Sequence, residues 1–233
     1  LKRITLLEQA AQNIYKEWFV NMRFPGHEDT TIDQASGLPW GWRVDSINTI
    51  VEFKGGFAFK SKTYQKTGKW KVITIKNVGD RVFNTTAVNL VSELPDKLKE
   101  HCKIKEGEIL LSLTGNVGRS CIAFGENNLL NQRVAKVVPI KANRLPFVYW
   151  MFNSKDIIGL MNNLATGTAQ LNLSPIMFGK QEIVIPSEKL IESFSTLLES
   201  SYSQIVLLNK ENLKLQKARD ILLPRLMNQT IKV

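Results

Sequence analysis

The chain is poor in the residues that hold small scaffolds and metal centres together. Its 233 residues include only two cysteines, Cys102 and Cys121, and two histidines, His27 and His101. Two thiols exclude a disulfide framework and a four-cysteine zinc site. Reduced thiols in a cytoplasmic protein are the expectation. No stretch approaches the ~18 consecutive apolar residues that a membrane span needs, so no membrane partner is expected. The opening Leu1-Lys2-Arg3-Ile4-Thr5 has neither the apolar core of a signal peptide nor an initiator methionine. The expectation is a chain cut from something longer. A Gly-x-Gly-x-x-Gly dinucleotide motif is missing, as is any Asn-Pro-Pro-Tyr-like stretch that would hold a flipped base.

What is there is positive charge, unevenly placed. The formal net charge is +10. Residues 1–37 carry net −1 and residues 187–233 carry +2, while residues 38–186 carry twenty Lys/Arg against eleven Asp/Glu, net +9. That middle segment is also rich in Asn, Gln, Ser and Thr. A basic, amide-rich domain suits a polyanion with polar edges to read, and duplex DNA is the commonest such partner.

Hydrophobic periodicity divides the chain the same way. Leu7, Ala10/Ala11, Ile14 and Trp18 recur at helical spacing and predict a helix over residues 4–22. It stops before Phe24-Pro25-Gly26. Residues 25–37 read as a linker. The middle reads as short strands over Trp70–Ile75, Glu108–Leu113, Ser120–Ala123, Ala135–Ile140 and Glu182–Ile185. Thr114-Gly115-Asn116-Val117-Gly118 forms a hairpin turn between two of them, and a helix is expected over Pro146–Met161, with Phe147, Trp150, Met151 and Ile158 on one face. The class is therefore α+β: one globular domain of short strands and a few helices over 38–186, flanked by helices over 1–24 and 187–233.

The last segment carries an unbroken heptad. Its a positions are Ile191, Leu198, Ile205, Asn212 and Arg219, and its d positions are Phe194, Ser201, Leu208, Leu215 and Leu222. The 3-4 spacing predicts an antiparallel coiled coil, with Leu198, Ile205, Leu208, Asn212, Leu215 and Leu222 as seam residues. A helix over 188–223 spans about 54 Å, and nineteen residues of the first helix about 28 Å. Half of the long helix thus lacks a partner within the chain, which points to a second copy or a missing half. The alternative is one amphipathic helix lying on the domain. The helix is expected to end near Pro224.

Three features could suggest catalysis. Asp45 with Glu52-Phe53-Lys54 matches the loose spacing of metal-dependent nucleases, in which two carboxylates hold the ion and lysine positions water. No further carboxylates support it. His101-Cys102 and Cys121 fall short of a four-ligand metal site. Thr114–Gly118 lacks the Gly-Lys-Ser/Thr that leads a phosphate loop into a helix. DNA-reading candidates are better served. Phe53 to Lys62 interleaves lysines and aromatics around Gly55-Gly56: the lysines reach phosphates, and the glycines let backbone come close. Asn131-Gln132-Arg133 groups two amides and a guanidinium, which suit adenine and guanine edges. Ala165 to Asn172 is an uncharged loop of hydroxyls and amides.

The order of these parts resembles the specificity subunits of type I restriction–modification enzymes. Residues Leu6 to Glu28 look like the end of their central conserved helix. Leu38-Pro39-Trp40-Gly41-Trp42 resembles the start of a target recognition domain. Gly56 to Ser61, Gly107 to Ser112 with Gly115 and Gly118, Asn131-Gln132, and Thr166-Gly167 with Gln170 resemble its recurring signposts. Leu213 to Met227 resembles the distal conserved helix. The resemblance implies a non-catalytic module that reads one part of a split DNA site, and it covers one recognition domain where the family's plan has two. It further implies methyltransferase and motor–nuclease subunits as partners. S-adenosylmethionine, ATP and Mg are then expected on those subunits only, and no cofactor or metal on this chain. The residues expected at DNA are Lys54, Phe57, Lys60, Ser61, Lys62, Lys76, Asn77, Thr114, Asn116, Asn131, Gln132, Arg133, Thr166, Thr168, Gln170 and Asn172. A nuclease and a coiled-coil adaptor remain the alternatives.

Overall fold

The computed structural model describes residues 1–86, 88–167 and 170–227. Helix α1 spans Lys2–Tyr15 and continues through a wider π turn, Lys16–Val20. Ten strands follow: β1 Arg43–Ser46, β2 Val51–Gly55, β3 Trp70–Ile73, β4 Asn89–Val91, β5 Lys103–Ile104, β6 Ile109–Ser112, β7 Ser120–Ile122, β8 Asn128–Leu130, β9 Val134–Pro139 and β10 Glu182–Ile185. Between β9 and β10 lie α2 Leu145–Phe152, α3 Lys155–Leu164 and α4 Pro175–Gly179; α5 is Glu188–Met227.

The strands form two four-stranded sheets and one pair. The first sheet, β2-β9-β6-β7, is antiparallel throughout. The second, β4-β3-β8-β5, is antiparallel apart from the parallel β3–β8 contact. The pair is β1 with β10, which brings the two ends of the domain together. Side chains alternate across a strand, and β6 shows the consequence. Ile109 and Leu111 face a core shared with Phe147, Trp150 and Phe194 of the helices. Leu110 faces a second core with Ile73, Cys121, Leu130 and Val134, beneath the other sheet. The first sheet is thus covered on both faces, which is why its central strand reads as an uninterrupted apolar run.

The expected strands over 70–75, 108–113, 120–123 and 135–140 are present with ends shifted by one or two residues, and 182–185 coincides with β10. The turn over 114–118 does link antiparallel β6 and β7. The single helix expected over 146–161 is two. Ser154 accepts the Ile157 amide and starts α3 afresh, as a serine N-cap does. Nor does α2 have one apolar face: Pro146 to Phe152 are all buried, between the first sheet and α1/α5.

Helices α1 and α5 run antiparallel. Arg3 donates to Gln204 at one end of the contact, and Trp18 packs on Phe194 at the other, ring centroids 5.6 Å apart. The seam of α5 departs from the heptad at one turn, where Tyr202 and not Ser201 points inward. Tyr202 packs on Tyr149 and Trp150 of α2 and donates to the Gly107 carbonyl at 2.6 Å. The proximal seam is therefore shared between α1 and the domain. At its start, Glu188 accepts Lys141 at 2.8 Å and pairs with the buried Arg144, with Arg43 at 3.9 Å. Farther along, Lys210 pairs with Glu106 at 3.0 Å, and Leu213 packs against the second core. Beyond it the helix leaves the domain, running through Pro224 to Met227 and so past its expected end.

Candidate nucleic-acid interface

Two neighbouring groups of loops collect most of the polar candidates. The first surrounds a cleft of about 320 Å³, into which Ser61, Lys76, Asn131, Gln132 and Arg133 converge from three separate segments. Its frame is backbone. Phe57 N donates to Leu130 O, Gln132 N to Phe57 O, and Asn131 N to Ile73 O, at 2.8, 2.9 and 3.1 Å. The chain at Gly56 passes so close that a Cβ there would stand 2.2 Å from the Asn131 carbonyl oxygen. Only glycine permits that approach. Val134 N then closes a tight turn onto Asn131 O, which leaves Gln132 and Arg133 exposed at its tip.

The second group joins the β6–β7 turn to the loop before α4. Thr114 Oγ1 donates to Asn172 Oδ1 at 2.8 Å, Gly115 N donates to Leu171 O at 2.8 Å, and Thr166 and Asn172 exchange backbone hydrogen bonds at 3.0 and 2.8 Å. Gly167 takes φ +119°, where a Cβ would meet the Gln170 carbonyl at 2.3 Å. Gly115 lies beside both Gln170 and Ile75, and Ile75 lines the cleft, so the two groups adjoin. Asn116, Thr166 and Gln170 are exposed here.

Several expected site residues are placed differently from what their chemistry suggested. Asn77 is 1% exposed. Its carbonyl oxygen accepts from the Thr74 amide and hydroxyl, and its amide donates to Asn84 O and Thr86 O. It shapes the turn that presents Lys76 and has no free edge to offer. Asn131 and Thr114 are also buried, at 8% and 6% exposure. Asn131 Oδ1 accepts the Arg133 amide at 3.2 Å, and Asn172 spends its amide on Gln170 O at 3.0 Å. Phe57 is half-buried against Phe59, edge to face, with centroids 5.0 Å apart. Lys60 and Lys62 stand exposed beside the cleft, on the turn that carries Ser61. Lys54 lies away from the cleft, paired with Glu52 along β2. Thr168 lies outside the described residues.

Sequence reasoning overlooked three polar lining residues, Tyr64, Thr74 and Asn89. Thr74 lay hidden inside an apolar strand run; Tyr64 and Asn89 stood alone, with no pattern to mark them. Partial burial pushes the Tyr64 phenol above its ordinary range, so it remains a neutral hydroxyl able to donate and accept.

The nuclease spacing does not assemble. Asp45 sits on β1, in a different sheet from Glu52 on β2. Its carboxyl accepts Arg43 Nε and the Ser46 amide, and these hold its pKa below the usual carboxylate range. Among the described residues, no three His, Cys, Asp or Glu side chains converge on a point. Both cysteines are buried, and burial pushes the Cys121 thiol upward. No described helix is long and apolar enough to cross a membrane.

On the seam of α5, Leu198 and Ile205 are buried, Leu208 and Asn212 half-buried, and Leu215 and Leu222 exposed.

Comparison with known proteins agrees with this architecture. Residues 39–224 match the family model described as the type I restriction modification DNA specificity domain. The chain is 26% identical over 201 residues to the type I restriction enzyme HindI specificity subunit of Haemophilus influenzae, covering 83% of this chain and 42% of that one. It is 23% identical to the MjaIX specificity subunit of Methanocaldococcus jannaschii, covering 100% and 54%. The chain thus spans about half the length of the curated relatives it matches. The fold is similar to two solved structures, each at TM-score 0.53. One is the type I restriction-modification S subunit from M. genitalium, 17% identical, covering 81% of this chain and 46% of that one. The other is the HsdS subunit from Thermoanaerobacter tengcongensis, 16% identical, covering 96% and 51%. With four fifths of its length matched by the family model, the chain belongs to the type I restriction modification DNA specificity domain family.

Proposed function

We propose that this chain is a non-catalytic reader of one half of a bipartite duplex DNA target within a type I restriction–modification assembly. The observation that carries the reading is the cleft, where Ser61, Lys76, Gln132 and Arg133 meet although they lie as far apart as residues 61 and 133. A guanidinium and an amide exposed side by side on a rigid turn are the groups that discriminate guanine and adenine edges in a groove. Lys60, Lys62 and Lys76 neutralise phosphates around them and set register. Asn116, Thr166 and Gln170 extend the same surface, while Asn77, Thr114, Asn131 and Asn172 hold its loops in shape.

The partners proposed are methyltransferase and motor–nuclease subunits, which would carry S-adenosylmethionine, ATP and Mg. A second copy of the chain, or another half-subunit, would cover the distal part of α5, where Leu215 and Leu222 are exposed. Selection of bound duplexes from a randomised pool tests the reading. An enriched motif is expected, and Gln132→Ala with Arg133→Ala should relax it at specific positions, each lost bidentate contact costing about 1–3 kcal/mol of discrimination. Recovery of an unenriched pool by the unaltered protein would rule it out.

A further inference from the structure

A second depression, of about 630 Å³, lies on the other side of the segment from Phe57 to Ser61. The Gly55-Gly56 backbone lines it, together with Lys54, Lys97, Lys99 and His101. His101 Nε2 lies 2.9 Å from the Gly55 carbonyl. A carbonyl only accepts, so the ring donates and ties the 97–102 segment to the end of β2.

Its charge is uncompensated. Lys54 pairs with Glu52, but among the described residues Lys97, Lys99 and His101 enter no ion pair. Two acidic groups near in sequence are committed to other lysines, Glu100 to Lys103 at 2.8 Å and Glu106 to Lys210 at 3.0 Å, while Asp96, next to Lys97, borders a neighbouring hollow and not this one. Lys97 and Lys99 are exposed. Lysines gathered on one wall, with no acidic side chain lining it, repel one another, and a bound anion relieves that repulsion. An extended anion fits better than a small one. The groove is open, and the chain runs from its Phe57 and Ala58 directly to Phe59 and Ser61 of the polar cleft. On a third side, a hollow of about 520 Å³ bordered by Glu93 and Asp96 shares Phe59 with the cleft and would repel phosphate.

We propose that this groove is a second phosphate track for duplex DNA, in which Lys97 and Lys99 hold the backbone flanking the base pairs met at the polar cleft, on a segment that His101 ties to the end of β2. The proposal rests on the DNA-reading function above. It assigns phosphate contact to two lysines in a segment that the sequence marked only as an incomplete metal set.

The test is the salt dependence of duplex binding by the full chain, read by fluorescence anisotropy. Each phosphate contact contributes about 0.9 to the slope of log K against log salt. Lys97→Gln with Lys99→Gln should lower that slope by about 1.8 and weaken binding alike for every sequence, with the selected motif unchanged. The control pair Lys2→Gln with Lys16→Gln, on the exposed face of α1, should leave the slope alone. An unchanged slope in the groove variant, or an equal fall in the control, overturns the track while leaving the cleft reading intact. Failure of the unaltered chain to bind duplex overturns both.

Discussion

The two halves of α5 share one heptad and meet opposite fates. From Leu190 to Ile205 the seam is sealed: Ile191, Phe194, Leu198, Tyr202 and Ile205 are at most 4% exposed, packed on α1 and α2. From Leu215 onward the same apolar spacing lies open, with Leu215 at 66% exposure and Leu222 at 46%. Periodicity marks a face that can be buried. It does not supply the surface that buries it. The proximal half has its surface because α1 returns antiparallel beside it and α2 closes the other side. The distal half has run beyond the end of both.

The sharpest way to break this comparison is to truncate matched positions in each half. Phe194→Ala should cost about 3–5 kcal/mol of stability, since the ring meets Tyr15, Trp18, Phe19, Phe147 and Trp150 and no neighbour can collapse into the space. Denaturant unfolding followed by tryptophan fluorescence measures it.

Next comes the buried carboxyl of the proximal contact. Glu8 of α1 accepts the Tyr149 hydroxyl at 2.8 Å and is 7% exposed. Burial raises its pKa from 4.5 to about 7, against the smaller opposing effects of the Tyr149 hydrogen bond and Arg81, with Asp80 adding to the rise. The folded protein therefore holds this proton more tightly than the unfolded chain. The stability it contributes is full below about pH 4.5 and lost as pH climbs through about 7, a change of order 3 kcal/mol. Unfolding free energies between pH 5 and 8 should fall accordingly, and Glu8→Gln should flatten that part of the profile. A parallel profile in the variant would remove Glu8 as the cause.

At the start of the helix, Glu188→Gln removes the carboxylate paired with the buried Arg144 and leaves Glu192 as the acid acting on it. The expected loss is about 2 kcal/mol, less than for a fully buried pair because Glu188 is itself half-exposed. The smallest effect belongs to the distal half, where Leu215→Ala should change the stability of the isolated chain by under about 0.5 kcal/mol. A loss of several kcal/mol at Leu215, from the chain alone, would mean that the two halves are covered alike and the contrast is false.

The sequence was legible where one physical signal dominated. The run Glu108 to Leu113 was readable as a strand because burial on both faces makes Ile109, Leu110 and Leu111 apolar in succession. Strands β4, β5 and β8 escaped, being two or three residues long, too short for alternation to register. β1 and β2 escaped with them: β1, with exposed Val44 and its Arg43–Asp45 pair, has no apolar run until β10 lies alongside, and the Glu52 and Lys54 of β2 drew attention as a nuclease spacing. At the site, residue type predicted hydrogen-bonding capacity but not its use. Asn77 and Gln132 carry the same amide, yet one spends it on its own turn and the other keeps it free. Nothing in the spacing around Leu7 and Ala11 marks Glu8 as buried; Tyr149, remote in sequence, covers it.

By itself the amino-acid order determined what depends on neighbours along the chain: the basic middle segment, the helical seams, the hairpin at Thr114–Gly118 and the order of the parts. Tertiary structure alone decided what depends on residues remote in sequence. It chose which amides are consumed and which are presented, and which cations stand in a cleft, a groove or an ion pair. It also chose which stretch of α5 is covered. The physical reason is common to all of these: burial and electrostatic pairing are properties of juxtaposed surfaces, and a sequence names the surfaces without bringing them together.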